Sequence, residues 1–250
     1  MCLRSNFALL FALLCSFLPY ANAQFRIKNG QDIEIEESLH SVAIFRIVFY
    51  ICAGAIVNVN TVVTAAHCLK DVEQDELVLI AGIADLDNRG SGQTRNVQCI
   101  HYGTGYDEET HFMDIAVVKV EKSFDEDSVV PISPISLCDY RLEPGMTIQV
   151  SAWGRISETS RGYSNQLKTK YVDIVKTQEC KTGYARVCSV HLSETIICAE
   201  SGVCFGDSGA AGVRNGQLCA VVQGFSSSNL PDKYTDVTNE RVRDFIRSKM

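Results

Sequence analysis

Cys204-Phe205-Gly206-Asp207-Ser208-Gly209 is the stretch on which the reading of this chain turns. A serine hydroxyl is a poor nucleophile at neutral pH. It becomes useful when a base removes its proton and backbone amides stabilise the oxyanion that follows. A Gly-Asp-Ser-Gly turn suits that task, because glycine adopts dihedrals that other residues avoid and leaves the hydroxyl and nearby N–H groups open. Four residues alone are a weak signal. They gain force from Thr64-Ala65-Ala66-His67-Cys68 and Asp114-Ile115-Ala116 upstream, which supply an imidazole and a carboxylate. The order His, Asp, Ser is one of several chain orders in which this constellation occurs.

The N-terminus reads as a secretory leader. Met1-Cys2-Leu3-Arg4 precedes an apolar run from Phe7 to Leu18, and Ala21-Asn22-Ala23 is a small-x-small cleavage pattern. The run is shorter than the about 20 apolar residues a membrane span requires. The expected mature protein is therefore secreted, extracellular and without a membrane partner. The formal charge is 23 − 30 = −7, and it becomes 21 − 30 = −9 once residues 1–26, with Arg4 and Arg26, are removed. That balance argues against nucleic acid, which demands clustered cations. Of eleven cysteines, nine lie beyond the leader: Cys52, Cys68, Cys99, Cys138, Cys180, Cys188, Cys198, Cys204 and Cys219. Such usage in a secreted chain implies disulfides, and the odd count leaves at least one cysteine free or bonded to another chain. No Cys-x-x-Cys pair or histidine cluster suggests zinc, so no metal and no cofactor are expected.

Short β-branched and aromatic runs recur throughout, at Ser41–Ile51, Thr61–Thr64, Glu76–Ala81, Ile115–Val120, Thr147–Trp153 and Leu218–Val222. They predict an all-β antiparallel architecture. One helix is predicted, near the C-terminus, where Val242, Phe245 and Ile246 follow i, i+3, i+4 spacing after a Thr238-Asn239 cap. The stretch from Glu121 to Glu143, with Pro131 and Pro134, reads as a connection between two halves. Trp153 reads as core, and His40, His101, His111 and His191 as surface or structural residues.

The chain resembles the trypsin/chymotrypsin-like serine proteases. The likeness rests on Arg26-Ile27-Lys28-Asn29-Gly30, Thr64–Cys68, Asp114–Val118, Val150-Ser151-Ala152-Trp153-Gly154, Cys204–Gly209 and Pro231-Asp232-Lys233-Tyr234-Thr235. It implies two six-stranded antiparallel Greek-key β-barrels, roughly 27–130 and 131–250, followed by the C-terminal helix, with the site in the cleft between them. It implies a secreted endopeptidase made as a zymogen, with a leader of residues 1–23 and a propeptide of residues 24–26. His67 would be the general base, Asp114 its orienting carboxylate and Ser208 the nucleophile, with the amides of Gly206 and Ser208 as the oxyanion hole. A protease cutting after Arg26 would free the Ile27 amine to pair with Asp207. Protein or peptide substrates and protein inhibitors are the implied partners.

Departures from the family pattern concentrate around substrate. Gly202 stands six residues before Ser208, where trypsin-like members carry an acid. Asp232 stands where most relatives have glycine. With Phe205 at the pocket mouth and Gly224 on its wall, this predicts basic or mixed specificity. Val222-Gln223 replace the usual Ser-Trp before Gly224, putting a polar contact near Asp114 in doubt. Ala210-Ala211 replace Gly-Pro, and Ser226-Ser227-Ser228 lack the usual cysteine partner of Cys204. By resemblance Cys52 pairs with Cys68 and Cys180 with Cys198; Cys99, Cys138, Cys188, Cys204 and Cys219 stay unassigned. The alternative function is a catalytically weak or silent homologue that binds a partner. An esterase on a parallel sheet is disfavoured, since parallel-strand patterning is absent.

Overall fold

The computed structural model describes residues 30–250, except 156, 158, 160, 161, 190 and 227–229. The leader, Arg26 and Ile27 therefore lie outside the described residues, as do Ser227 and Ser228. Among the described residues there are fourteen strands and two α-helices. The first half holds β1 (Gln31–Asp32), β2 (Ser41–Arg46), β3 (Phe49–Asn58), β4 (Thr61–Thr64), β5 (Leu77–Ala81), β6 (Gln93–Tyr102) and β7 (Ala116–Val120). The second holds β8 (Ser136–Leu137), β9 (Thr147–Ala152), β10 (Lys168–Asp173), α1 (Thr177–Cys188), β11 (Ile196–Ala199), β12 (Ala211–Arg214), β13 (Gln217–Gly224), β14 (Asp232–Asp236) and α2 (Glu240–Lys249).

Six strands close into an antiparallel barrel in the order β2-β3-β4-β7-β6-β5. The predicted run Ser41–Ile51 is in fact a hairpin, with β2 and β3 divided at Ile47-Val48, where Ile47 takes a positive φ of 57°. The second half contains β10-β9-β12-β13-β14-β11 in one sheet, widened by β1 at one end and by β8 on β13. This sheet closes on itself through a single bridge between Ile174 and Ala199, beside a bond from Val175 N to Cys198 O of 3.0 Å. Counted from its own first strand, each ring runs 1-2-3-6-5-4. The same Greek-key winding therefore occurs twice on unrelated side chains, because alternating apolar positions and turns define a ring without requiring repeated residues. The pairing of β8 with β13 is parallel, but β8 lies outside the ring, whose six strands pair antiparallel throughout as expected.

The chain ends tie the halves together. β1 pairs with β10 of the second sheet, although it precedes the first barrel. Helix α2 buries Val242, Phe245 and Ile246 against Ala55, Val57, Val63 and Val117 of the first half and Leu218 and Val221 of the second. Asn239 caps it, its side chain accepting from Arg241 N at 3.0 Å. The other α-helix, α1, was not legible in sequence: only Cys180 and Tyr184 are buried along it, too few to produce an apolar period. Disulfides join Cys52 to Cys68, Cys180 to Cys198 and Cys138 to Cys219; Cys99, Cys188 and Cys204 lie outside these three.

Candidate active site

His67 lies in a single 3₁₀ turn, Ala66–Cys68, directly after β4. The β-branched run Thr61–Thr64 holds the strand, and the Cys52–Cys68 disulfide ties the turn to β3. Asp114 comes just before β7, which pairs with β4, so strand register carries the two residues together. One carboxylate oxygen accepts from His67 N at 2.9 Å and the other from His67 Nδ1 at 2.8 Å. Asp114 is wholly buried, whereas the imidazole is about one-third exposed. A carboxylate accepts only, so Nδ1 bears a proton, and in the neutral imidazole Nε2 has its lone pair available. The disulfide sulfur of Cys68 lies 3.9 Å from Nε2, but as part of a disulfide it provides no thiolate ligand.

Backbone tension surrounds this acid. His111 and Met113 have φ of 56° and 50°, in the left-handed region that non-glycine residues rarely occupy. Met113 N donates to Thr195 Oγ1 at 3.1 Å, and Thr235 Oγ1 donates to Asp114 O at 2.7 Å. Gln223 Nε2 donates in turn to Thr235 Oγ1 at 2.9 Å. The polar contact that Val222-Gln223 put in doubt is thus rebuilt through Gln223 and Thr235, reaching the backbone of Asp114.

Ser208 is in the loop between β11 and β12. Ser208 O accepts from Ala53 N of the first barrel at 2.9 Å, fixing the Ser208 turn against β3. Ser208 Oγ donates to Gln223 O at 3.2 Å, and no hydrogen bond joins it to His67 among the described residues. The N–H groups of Asp207, Gly209 and Ala210 are bonded to Cys204 O, Val222 O and Asp207 O. Those of Gly206 and Ser208 have no acceptor among the described residues. Gly206 has φ 92°, a left-handed conformation that glycine adopts without strain. Ala210 and Ala211 both avoid positive φ, so alanine in place of Gly-Pro introduces no left-handed strain.

Asp207 is fully buried beneath this turn. Its two oxygens accept from Gly154 N at 2.9 Å and Cys204 N at 2.7 Å. Burial nevertheless pushes its carboxyl up to about 7, against those two bonds. Gly154 is required here, since any β-carbon would overlap the Asp207 carboxylate. Tyr50 OH, buried, donates to Gly206 O at 2.7 Å and braces the turn from β3.

Asp232 is also fully buried. Its carboxylate accepts from Gly202 N at 2.6 Å, Val203 N at 2.9 Å and Ser226 N at 3.3 Å. Gly202 and Asp232 are therefore brought into direct contact. Phe205 is half exposed, and its ring meets that of Phe225 edge-on at 4.5 Å, with the Arg155 guanidinium 5.0 Å from its centroid. Above Gly224 the space is open, with nothing within 4 Å of where a β-carbon would project.

A family model described as Trypsin matches residues 27–246. The chain belongs to the trypsin family of serine endopeptidases. It is 33% identical over 221 residues to trypsin alpha of Drosophila melanogaster, covering 85% of this chain and 83% of that protein. It is 31% identical over 205 residues to seminase of the same species, covering 79% and 71%. In fold it is similar to neuropsin, a serine protease expressed in the limbic system of mouse brain (TM-score 0.77, 23% identity, 89% of this chain and 99% of that one). It is equally similar to the scabies mite inactivated protease paralogue S-D1 (TM-score 0.78, 24% identity, 88% and 97%).

Three groups in this trypsin-family site were not legible as functional in the sequence. Phe225 was not singled out, because only the ring contact reveals that it faces Phe205. His111 matched no motif, yet its carbonyl accepts from Gln223 Nε2 at 3.3 Å and its ring lies at the electrostatic reach of Asp114 and His67. Lys233, quoted only as part of Pro231–Thr235, bonds to the His111 ring. Histidine three residues before the candidate acid was the one available signal.

Proposed function

We propose that the chain is a secreted endopeptidase of residues 27–250, made as a zymogen and acting through Ser208, His67 and Asp114. The observation that carries this reading is the two-point grip of Asp114 on His67, which leaves Nε2 as a base. Rotation of the Ser208 hydroxyl away from Gln223 O would bring its proton to Nε2 as Oγ attacks a peptide carbonyl carbon. The resulting oxyanion would be met by the Gly206 and Ser208 amides, which have no other acceptor. Breaking the C–N bond transfers the proton from His67 to the leaving amine. Water then repeats the sequence on the acyl-enzyme, restoring Ser208.

Activation is proposed to follow cleavage after Arg26. A buried carboxylate with only two amide partners is costly to ionise, and the Ile27 amine would supply the missing positive charge. The proposed preference is for basic or mixed residues before the cut, supported by the buried Asp232 carboxylate at the pocket base. Phe205 and Phe225 narrow the mouth and add apolar contact.

Labelling with an organophosphonate after cleavage at Arg26 tests the core of this proposal. Expected is stoichiometric labelling at Ser208, lost in Ser208→Ala, with peptidase activity falling by at least about 10³-fold. Full activity in an uncut Arg26→Gln chain would overturn the zymogen step. A second reading, a silent binding homologue, is favoured by the Ser208–Gln223 bond, which turns the hydroxyl from the base. It predicts that the cut protein stays unlabelled.

A further inference from the structure

We propose that Lys233 and His111 form a cationic subsite beside Ser208 that takes an acidic side chain of the peptide substrate. This deepens the proposed function and rests on the Ser208-centred cleft as the place where peptide binds.

The geometry begins at the nucleophile. Ser208 Oγ donates to Gln223 O, near the end of β13. The next residue, Gly224, pairs across the sheet with Lys233 of β14, and the space over Gly224 is open. Gln223 Nε2 reaches the carbonyl of His111, and Lys233 Nζ reaches His111 Nε2 at 2.9 Å. A continuous run of contacts therefore leads from the serine hydroxyl to the lysine ammonium.

The charge on Lys233 is unmatched. An ammonium only donates, so His111 Nε2 must accept, leaving the ring neutral with its proton on Nδ1. The other partner of Lys233 is the Tyr184 ring, 5.3 Å away. Among the described residues no carboxylate lies within ion-pair reach of Lys233. The titratable groups that face the pair are Asp114, His67, Glu108 and Cys188. Asp114 is committed to His67, and Glu108 is committed to Lys70. Both Lys233 and His111 are partly buried, and burial lowers the proton affinity of each. A partly desolvated cation without an anion is unfavourable, and an incoming carboxylate would offset that cost while accepting from Nζ. The same carboxylate in bulk water would gain far less from a fully exposed lysine.

Binding of peptides to the cut Ser208→Ala protein tests this without requiring turnover. A peptide with a fixed residue before the scissile bond is made with one Gln or Glu walked through each position on either side. Fluorescence anisotropy reads the affinities. Expected is one position at which Glu binds at least about fivefold more tightly than Gln, a preference that weakens with added salt. In Lys233→Gln the ratio falls below about twofold, and Lys233→Arg restores most of it. An equal Glu preference in Lys233→Gln overturns the proposal. If the variants do not fold, the Lys233 protein still decides: no Glu preference at any position, or one indifferent to salt, sinks it. Absence of phosphonate labelling on the native Ser208 protein would end the catalytic reading alone, since the Glu-to-Gln ratio is measured independently.

Discussion

The two rings share a winding order but hold their functional groups differently. The first is hydrogen-bonded all the way round, and it presents His67 and Asp114 already joined by two bonds. The second closes through one bridge and presents Ser208, Asp207 and Asp232 on the loops or ends of its strands. Its two buried carboxylates accept backbone amides, and its hydroxyl points at a carbonyl of its own sheet. His67 is therefore fixed by strand register, while the Ser208 turn is shaped by buried charge. A device that switches activity belongs on the second side, because loops held by a few polar contacts rearrange at lower cost than a closed ladder.

The seam between the halves gives the strongest test of that contrast. Gly209 has φ 82°, and a β-carbon there would overlap Ala53 O and Thr64 Oγ1 of the first barrel. Both obstacles are fixed, since Thr64 Oγ1 donates to Ala53 O at 2.7 Å. Gly209→Ala is expected to lower stability by more than about 4 kcal/mol, combining backbone strain with steric overlap. Urea denaturation would show it. A loss below about 1 kcal/mol would mean that the seam yields, and that the nucleophile turn is not anchored on the first barrel.

How far the sequence could foretell this arrangement follows from the same contrast. His67, Asp114 and Ser208 lie in local motifs, so the elements that carry them were legible, as was the C-terminal helix from its apolar period. Helix α1 was hidden because it buries one cysteine and one tyrosine and otherwise faces solvent. Cys138–Cys219 was hidden because it joins residues 81 apart through the parallel pairing of β8 with β13, which no local pattern announces. Lys233 and Phe225 were hidden for a third reason. Their significance depends on what lies across a strand or a loop, and one-dimensional spacing does not record it.

The disulfides sharpen the comparison at intermediate size. In the chain-entropy account a cross-link stabilises more when it closes a longer loop. Cys138–Cys219, at a separation of 81, is expected to contribute about 4.5 kcal/mol and Cys52–Cys68, at 16, about 3 kcal/mol. Alanine pairs at each site, compared by thermal unfolding, should therefore rank in that order. The reverse order would mean that the second sheet retains its structure better than its single closing bridge suggests.

The smallest effect is the most specific, because one buried acid carries it. In the uncut chain Asp207 is raised from 3.8 to about 7, so the folded state holds its proton where the unfolded state has lost it. Stability from this group is complete below pH about 4 and declines as pH rises toward 7, by at most about 4 kcal/mol. His40, in the first half, has the opposite sign. Burial lowers it from 6.5 to about 4, so the unfolded chain binds the proton first and stability declines as pH falls through that window. The two slopes oppose one another between pH 4 and 6.5, and His40→Asn should expose the Asp207 decline. Asp236 is also raised by burial and adds to that decline in every form of the chain. Cleavage after Arg26 would pair Asp207 with the Ile27 amine and favour its charged form, so the cut His40→Asn protein should lose only the Asp207 share. Urea titrations of cut and uncut protein from pH 4 to 7 measure the difference directly. Identical pH profiles would show that Asp207 is not the group that senses the new N-terminus, leaving the adjustable half of the molecule without its proposed switch.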